Sequence, residues 1–141
     1  MTQRIEPLGD DDRARLDKHR DWMLGHYETD PEASFADWRA KLVLIETILT
    51  SGWVRPDETW KLQSLGVAFG DALAQYKTLD WVVIEDEYGR DPALRDGKTS
   101  LKLFPLTIIS KRVEEGEAVD PVALFKQICA KVDDLRAGWK D

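Results

Sequence analysis

The chain has 141 residues, 43% of them hydrophobic and 33% charged, and its formal net charge at pH 7 is −7. A chain of this length can bury a stable core as one domain, and no apolar run approaches the roughly 20 residues that cross a bilayer. Residues 1–60 carry −5 of the net charge, so we expect no nucleic-acid partner, which would require clustered lysine and arginine. The first residues lack an apolar signal core, and we expect a cytoplasmic protein without a membrane partner.

Two helices are predicted in the first third of the chain. Aspartates 10–12 favour a helix start, because side-chain oxygens and negative charge stabilise a helix N-terminus, and the pattern ends near Gly25. Apolar spacing then predicts a strongly amphipathic helix from Phe35 to Leu49. We interpret residues 1–55 as an added helical pair.

A third helix is predicted over residues 58–76, with one apolar face and a glycine pair beside it. Gly66 and Gly70 are four residues apart, so they share one helix face. Each glycine costs about 1 kcal/mol relative to alanine in a helix interior. We therefore expect another element to press closely against this face.

After Asp80 the pattern changes from helical to strand-like. β-Branched and apolar residues predict the first strand, and the Asp96-Gly97 dipeptide is a strong two-residue hairpin signal. These features predict a three-stranded antiparallel meander. The predicted strands cover residues 81–84, 93–95 and 99–104, with a turn or bulge at 88–92 and the hairpin turn at 96–97.

Two proline-started helices complete the chain. Pro105 and Pro121 suit the first helical turn, and Gly116 and Gly138 suit the ends. The predicted fold class is α+β, a small three-stranded antiparallel meander packed against about five helices in two layers. We expect a single domain over residues 1–141, in which residues 56–141 form the α+β core.

Several segments between about residues 60 and 135 occur together in one bacterial family. They are Leu65-Gly66-Val67-Ala68-Phe69-Gly70, Asp80-Trp81, Glu85-Asp86-Glu87-Tyr88-Gly89-Arg90, the run from Phe104 to Arg112, and Glu115-Gly116-Glu117. In these segments the chain resembles the family known as domain of unknown function 3806. The resemblance implies a compact bacterial domain and transfers no activity or catalytic residue.

The densest acidic cluster follows the first predicted strand. Carboxylates placed together can bind a hard cation or act as a general acid and base. The spacing does not fit an EF-hand loop, and alternation along a strand sends neighbouring side chains to opposite faces. We favour a solvated strand end, with no metal site and no cofactor. The residues of this candidate site are Glu85, Asp86, Glu87, Arg90 and Asp91.

A local basic group follows in the next predicted helix. Lys111 and Arg112, with Lys98 and Lys102 nearby in sequence, could receive a carboxylate or phosphate from a ligand. We favour an intramolecular pairing of this group with the acidic cluster.

The classical nucleophile and metal patterns are absent from the sequence. His19 and His26 are seven residues apart, too far along a helix to share one metal ion, and we expect both to be partly exposed. Cys129 lies beside an apolar stripe and is expected to be a buried, inert thiol. Ser64 lacks a nucleophile-elbow context.

Tryptophans give the best indication of a partner, because tryptophan is enriched at binding hot spots. Trp22, Trp53, Trp60 and Trp139 do not all fall on the apolar stripes, and Trp22 flanks Met23 on a weakly apolar first helix. We expect a non-catalytic protein-interaction or accessory module, with an immunity-type role as one form of it, and a homodimer as another arrangement. The alternative is a small-ligand binder or an undescribed enzyme with a pocket between the 58–76 helix and the meander.

Overall fold

The structure is a computed structural model, and it describes residues 3–138. In this range it contains six helices and a four-stranded antiparallel sheet, which confirms the predicted α+β class. The elements are β1 (Arg4–Pro7), α1 (Asp10–Leu24), α2 (Pro31–Ser34), α3 (Trp38–Thr50), α4 (Thr59–Lys77), β2 (Asp80–Asp86), β3 (Gly89–Arg95), β4 (Lys102–Leu103), α5 (Pro105–Glu114) and α6 (Pro121–Gly138).

The sheet has four strands, so the predicted three-stranded meander was incomplete. Its strand order is β1-β2-β3-β4, and β1 pairs with β2 in a register that places Ile5 opposite Ile84. The sequence gives little sign of β1, because its four residues contain only one large aliphatic side chain, Ile5, and end at Pro7. Residues 1–55 are therefore not simply a helical pair, since they also supply an edge strand.

The turns of the sheet differ from the predicted ones. β2 and β3 are joined at Glu87 and Tyr88, where the Asp86 carboxylate accepts the Tyr88 backbone N–H at 2.8 Å. The chain predicted as a turn or bulge at 88–92 is strand from Gly89 onward. Asp96 begins a longer connection to β4 rather than a two-residue hairpin, because its carboxylate is buried and bound by other groups.

Helix α4 lies at the centre of the fold and confirms the expected close packing at the glycine pair. A Cβ added at Gly66 would overlap the Pro105 carbonyl oxygen and lie 3.1 Å from the Leu106 Cα. A Cβ at Gly70 would lie 2.8 Å from both Pro105 Cβ and Trp81 Cζ2. The glycines thus let α5 and the sheet approach the α4 backbone.

A half-buried ion pair attaches α1 to α4. The Arg20 guanidinium donates to both oxygens of Asp71 at 2.8 and 2.9 Å, and the Trp81 indole Nε1 donates to the same carboxylate at 2.9 Å. One carboxylate on α4 therefore joins α1 to the first long strand. Fork-like arginine–carboxylate pairs of this kind fix orientation as well as contributing energy.

Within the described residues, no helix has both the length and the apolar character needed to span a membrane.

Candidate functional site

The predicted acidic cluster is divided between the two faces of the sheet. Glu85 lies opposite Arg90 and accepts a hydrogen bond from Arg4 at 3.0 Å, whereas Asp91 lies opposite Ile84 on the other face. Asp86 is engaged by the turn, and Glu87 is an exposed turn residue. Among residues 3–138, no group of three or more histidine, cysteine, aspartate or glutamate side chains is arranged to hold a metal ion.

Arg90 has a structural role in this region. Its two terminal nitrogens donate to the two carboxylate oxygens of Asp12 at 2.5 and 3.0 Å, and the Gly9 backbone N–H adds a third hydrogen bond at 2.8 Å. The hydrogen bond from Arg90 holds the pKa of Asp12 below its usual value. Arg90 thus joins β3 to the start of α1, and its donors are directed at Asp12 rather than at a ligand.

The basic pair on α5 does not meet the acidic cluster, so the expected intramolecular pairing is wrong. Arg112 donates to the Ile108 carbonyl of its own helix at 2.7 Å, and Lys111 is exposed without a salt bridge to any described residue. Arg112 lines a small cavity with Asp120, whereas Asp91 lines a different one of about 100 Å³. Asp91 and Arg112 therefore line separate cavities.

Beside Gly66 and Gly70, the space next to α4 is filled by α5 and the sheet. The side chains of Trp81 and Pro105 rest against Gly70, and the backbone of Pro105 and Leu106 rests against Gly66.

A cavity of about 100 Å³ lies between the 58–76 helix and the meander, lined by Gln63 of α4 and by Asp91 and Pro92 of β3. This volume is smaller than the roughly 300–1,000 Å³ typical of small-molecule sites.

Tryptophans instead collect along one face of α1. Trp60 stacks on His19 with ring centroids 4.5 Å apart, and Trp53 stacks on His26 at 6.0 Å. Trp53 is 55% exposed and Trp60 46% exposed, whereas Trp22 is half-buried and packs edge-on against His26 at 4.5 Å. We call these five residues the tryptophan surface. Trp139 lies outside the described residues.

His19 is the main surprise of this surface, because it is only 1% exposed rather than partly exposed as predicted. Its Nδ1 lies 2.7 Å from the Ser64 hydroxyl oxygen, and that hydroxyl donates to the Trp60 carbonyl at 3.1 Å. The single hydroxyl proton is then used, so His19 Nδ1 donates to Ser64. Burial, aided by the positive charges of Arg15 and Arg20, lowers the His19 pKa to about 4.

The His19–Ser64 pair is not a nucleophile and base. Ser64 is fully buried in α4, and its hydroxyl bonds back to its own helix. A nucleophile must meet its substrate, and this oxygen is covered by Trp60 and α1. The pair fixes the imidazole on which Trp60 rests. The seven-residue spacing of the two histidines placed them on one face, but their stacking partners come from a distant loop and helix.

A second aromatic feature is a groove between α3, α4 and α6, with a volume of about 500 Å³. Trp38 and Phe125 stack at 5.2 Å with nearly parallel rings, and Tyr76 lies 4.6 Å from Trp38. We call this the aromatic groove. Cys129 lines it and is buried, and burial raises the pKa of its thiol, as expected of an inert cysteine. Its lining comes from three separate helices, so no local sequence pattern reveals it.

A more polar cavity of about 510 Å³ lies beside the Arg20–Asp71 pair. Lys41 is buried at its edge and donates from Nζ to the backbone carbonyls of Phe35 and Ala36 at 2.6 and 3.1 Å. Burial lowers the Lys41 pKa. These charges hold α1, α3 and the α2–α3 turn together, and the structure explains them without a ligand.

Comparison with known proteins places the chain in a family. A family model described as Domain of unknown function (DUF3806) matches residues 41–125, more than half of the chain. The chain belongs to this family. The match begins inside α3, earlier than the predicted residue 60, and ends inside α6, before residue 135. It therefore includes part of the segment interpreted as an added helical pair. No curated protein sequence matches this DUF3806 chain.

A crystal structure of a protein from Bacteroides thetaiotaomicron VPI-5482 has a similar fold. It matches 92% of the DUF3806 chain with a TM-score of 0.73 and 12% sequence identity. The match covers 48% of that protein, so the present chain spans about half of its length. At this identity the similarity shows the fold alone.

The DUF3806 match divides the tryptophan surface. Trp53, Trp60 and Ser64 lie inside residues 41–125, whereas the α1 histidines and Trp22 precede them. The complete surface thus requires the N-terminal helix.

Proposed function

We propose that this DUF3806 protein is a non-catalytic module that binds a partner protein through the tryptophan surface. The observation that carries the proposal is the exposure of two indole rings, 55% at Trp53 and 46% at Trp60. Tryptophans dominate the energy of many protein interfaces, and burying one removes a large apolar area from water.

The arrangement of the rings favours binding over accidental exposure. Trp53 and Trp60 are each stacked on an imidazole of α1. His19 is held by Ser64, and the His26 Nδ1 donates to the Trp22 carbonyl at 3.0 Å. Rings held in one orientation lose little conformational freedom on binding, so more of the contact energy appears as affinity.

The charge of the N-terminal region favours a basic partner. Residues 1–60 have a net charge of −5, and Asp10 and Asp11 at the start of α1 are exposed. Complementary charge speeds association and discriminates against acidic partners. An immunity-type role, in which an acidic domain covers a basic surface of another protein, is the finer form of this proposal.

The test compares a double variant with a matched control. Trp53→Ala with Trp60→Ala removes both exposed rings, whereas Tyr88→Ala removes a 90% exposed ring from the β2–β3 turn. We expect a protein identified by co-purification from the native cells to bind the wild type and the Tyr88 variant. In calorimetry with purified proteins, the double variant should bind it at least tenfold more weakly, or about 1.4 kcal/mol. Equal binding by all three proteins would refute the proposal.

Sedimentation distinguishes a homodimer formed through the same surface from a complex with a different protein. If the purified chain has twice the mass of one chain at micromolar concentration, and the double variant is monomeric, the partner is a second copy.

A further inference from the structure

We propose that the aromatic groove binds a small amphiphilic anion, a molecule with an apolar body and a carboxylate or other acidic group. This site is separate from the tryptophan surface and shares no residue with it. The inference rests on the shape of the groove, its aromatic lining and the charge of its rim.

The lining provides a preformed apolar surface. Trp38, Tyr76 and Phe125 contact one another in a cluster, with Tyr76 and Phe125 at 5.7 Å. Val43 lies beside them and is 64% exposed, which leaves apolar surface uncovered at the rim. The volume of about 500 Å³ falls within the roughly 300–1,000 Å³ typical of small-molecule sites.

The rim is positive in a chain that is negative overall. Arg39, Lys77 and Lys126 line the groove, against the single carboxylate of Asp133, whereas the whole chain carries −7. Lys77 is neutralised by Asp133, since their charged atoms are 2.7 Å apart. Two cations remain for a ligand.

Those two cations are free enough to meet an anion. Lys126 is exposed and forms no salt bridge with any residue between 3 and 138. Arg39 has one exposed ion pair, with Asp37 at 3.7 Å, and its guanidinium lies 4.5 Å from the centre of the Trp38 ring. A positive group stacked on the edge of an apolar groove suits a ligand whose acidic end follows an aromatic or aliphatic body.

Two fluorescent probes of matched shape test the anion requirement. 1-Anilinonaphthalene-8-sulfonate carries one negative charge, and N-phenyl-1-naphthylamine has the same ring system without it. We expect the sulfonate to bind the folded wild-type protein about tenfold more tightly than the neutral probe does, a difference of roughly 1.4 kcal/mol. Its affinity should fall as salt is added.

Three variants locate the site. Ala130→Phe places a ring in the groove from an exposed position on α6, so it should block both probes. Lys126→Glu should weaken binding of the sulfonate about tenfold and leave binding of the neutral probe unchanged. Lys131→Glu makes the same charge change on the same helix at an exposed position outside the lining, and should change neither. Each variant is used only if its thermal midpoint matches that of the wild type, because a loosened protein also binds these dyes.

Several results would overturn the proposal. Equal affinity for the two probes, or an equal effect of the two lysine changes, would remove the anion requirement. Sulfonate binding that survives Ala130→Phe would place the dye elsewhere. A wild-type dimer that Ala130→Phe converts to a monomer would show that the groove is occupied by a second copy.

Discussion

Replacing Gly66 with alanine should destabilise the protein, against the usual effect of this change in a helix. In an open helical position, glycine to alanine gains about 1 kcal/mol. At Gly66 the new methyl group would overlap the Pro105 carbonyl oxygen and lie 3.1 Å from the Leu106 Cα and carbonyl oxygen. These obstacles are backbone atoms, which cannot rotate away as a side chain can.

The magnitude follows from two opposing contributions. Overpacking a tight contact costs about 1–3 kcal/mol, and three backbone atoms in the way favour the upper end. Subtracting the helix gain of about 1 kcal/mol from the upper value of about 3 kcal/mol leaves a net loss of about 2 kcal/mol. At Gly70 the obstacles are side-chain atoms of Pro105 and Trp81, each 2.8 Å away. Because these atoms lie farther from the added Cβ than the Pro105 carbonyl oxygen lies from the one at Gly66, Gly70→Ala should lose less.

The assay is urea unfolding at neutral pH, with linear extrapolation of the free energy. With a typical slope of about 1–3 kcal/mol per molar urea, the Gly66→Ala midpoint should fall by roughly 1 M. The matched control is Gly138→Ala, because no atom lies within 4 Å of a Cβ built there. We expect the control to equal the wild type or exceed it slightly. A Gly66→Ala protein as stable as that control would show that α4 and α5 are not in close contact.

Two further predictions concern buried polar groups. His19 has a pKa of about 4 in the folded protein and about 6.5 when unfolded, so its stabilising contribution is present above about pH 6.5 and is lost as the pH falls towards 4. This loss is about 3 kcal/mol at 1.36 kcal/mol per pKa unit. Urea unfolding of the wild type at several pH values should show it relative to His19→Asn, in which the other acidic groups titrate equally. Parallel curves of unfolding free energy against pH for the two proteins would contradict the prediction. Arg136 donates to both oxygens of the buried Asp96 at 2.9 and 3.2 Å and to the Lys77 carbonyl at 2.6 Å. Arg136→Lys keeps the positive charge but not the forked geometry of the guanidinium, so it should cost about 2–3 kcal/mol of stability. An unchanged urea midpoint would show that the forked geometry is not needed.

The sequence predicted the features that depend on local pattern. The glycine pair of α4 indicated a close neighbour without naming it, and the prolines marked the starts of α5 and α6. β1 was missed because its residues, Arg4–Pro7, show no marked alternation of apolar and polar side chains. A short edge strand can form wherever a partner strand offers backbone hydrogen bonds. Pairing with β2, rather than intrinsic preference, makes it a strand.

The turn at Asp96 shows how tertiary contacts override a strong local signal. Asp96-Gly97 favours a two-residue hairpin. In the fold the Asp96 carboxylate is buried, and it accepts hydrogen bonds from the Lys98 backbone and from Arg136, which is 40 residues away. In the longer connection these partners satisfy the buried charge, and no short-range pattern encodes the position of Arg136.

The contacts of the candidate residues also depend on distant partners, and this indicates where binding should be sought. Arg90 appeared available to a ligand because its partner, Asp12, is 78 residues away. Charged side chains that find such partners become part of the scaffold, since an unpaired buried charge is costly. One face of each exposed indole stacks on an imidazole of α1, but about half of its apolar area remains in water and has no internal partner. The uncovered rings of Trp53 and Trp60 are therefore stronger indications of function in this fold than the denser charges at residues 85–91.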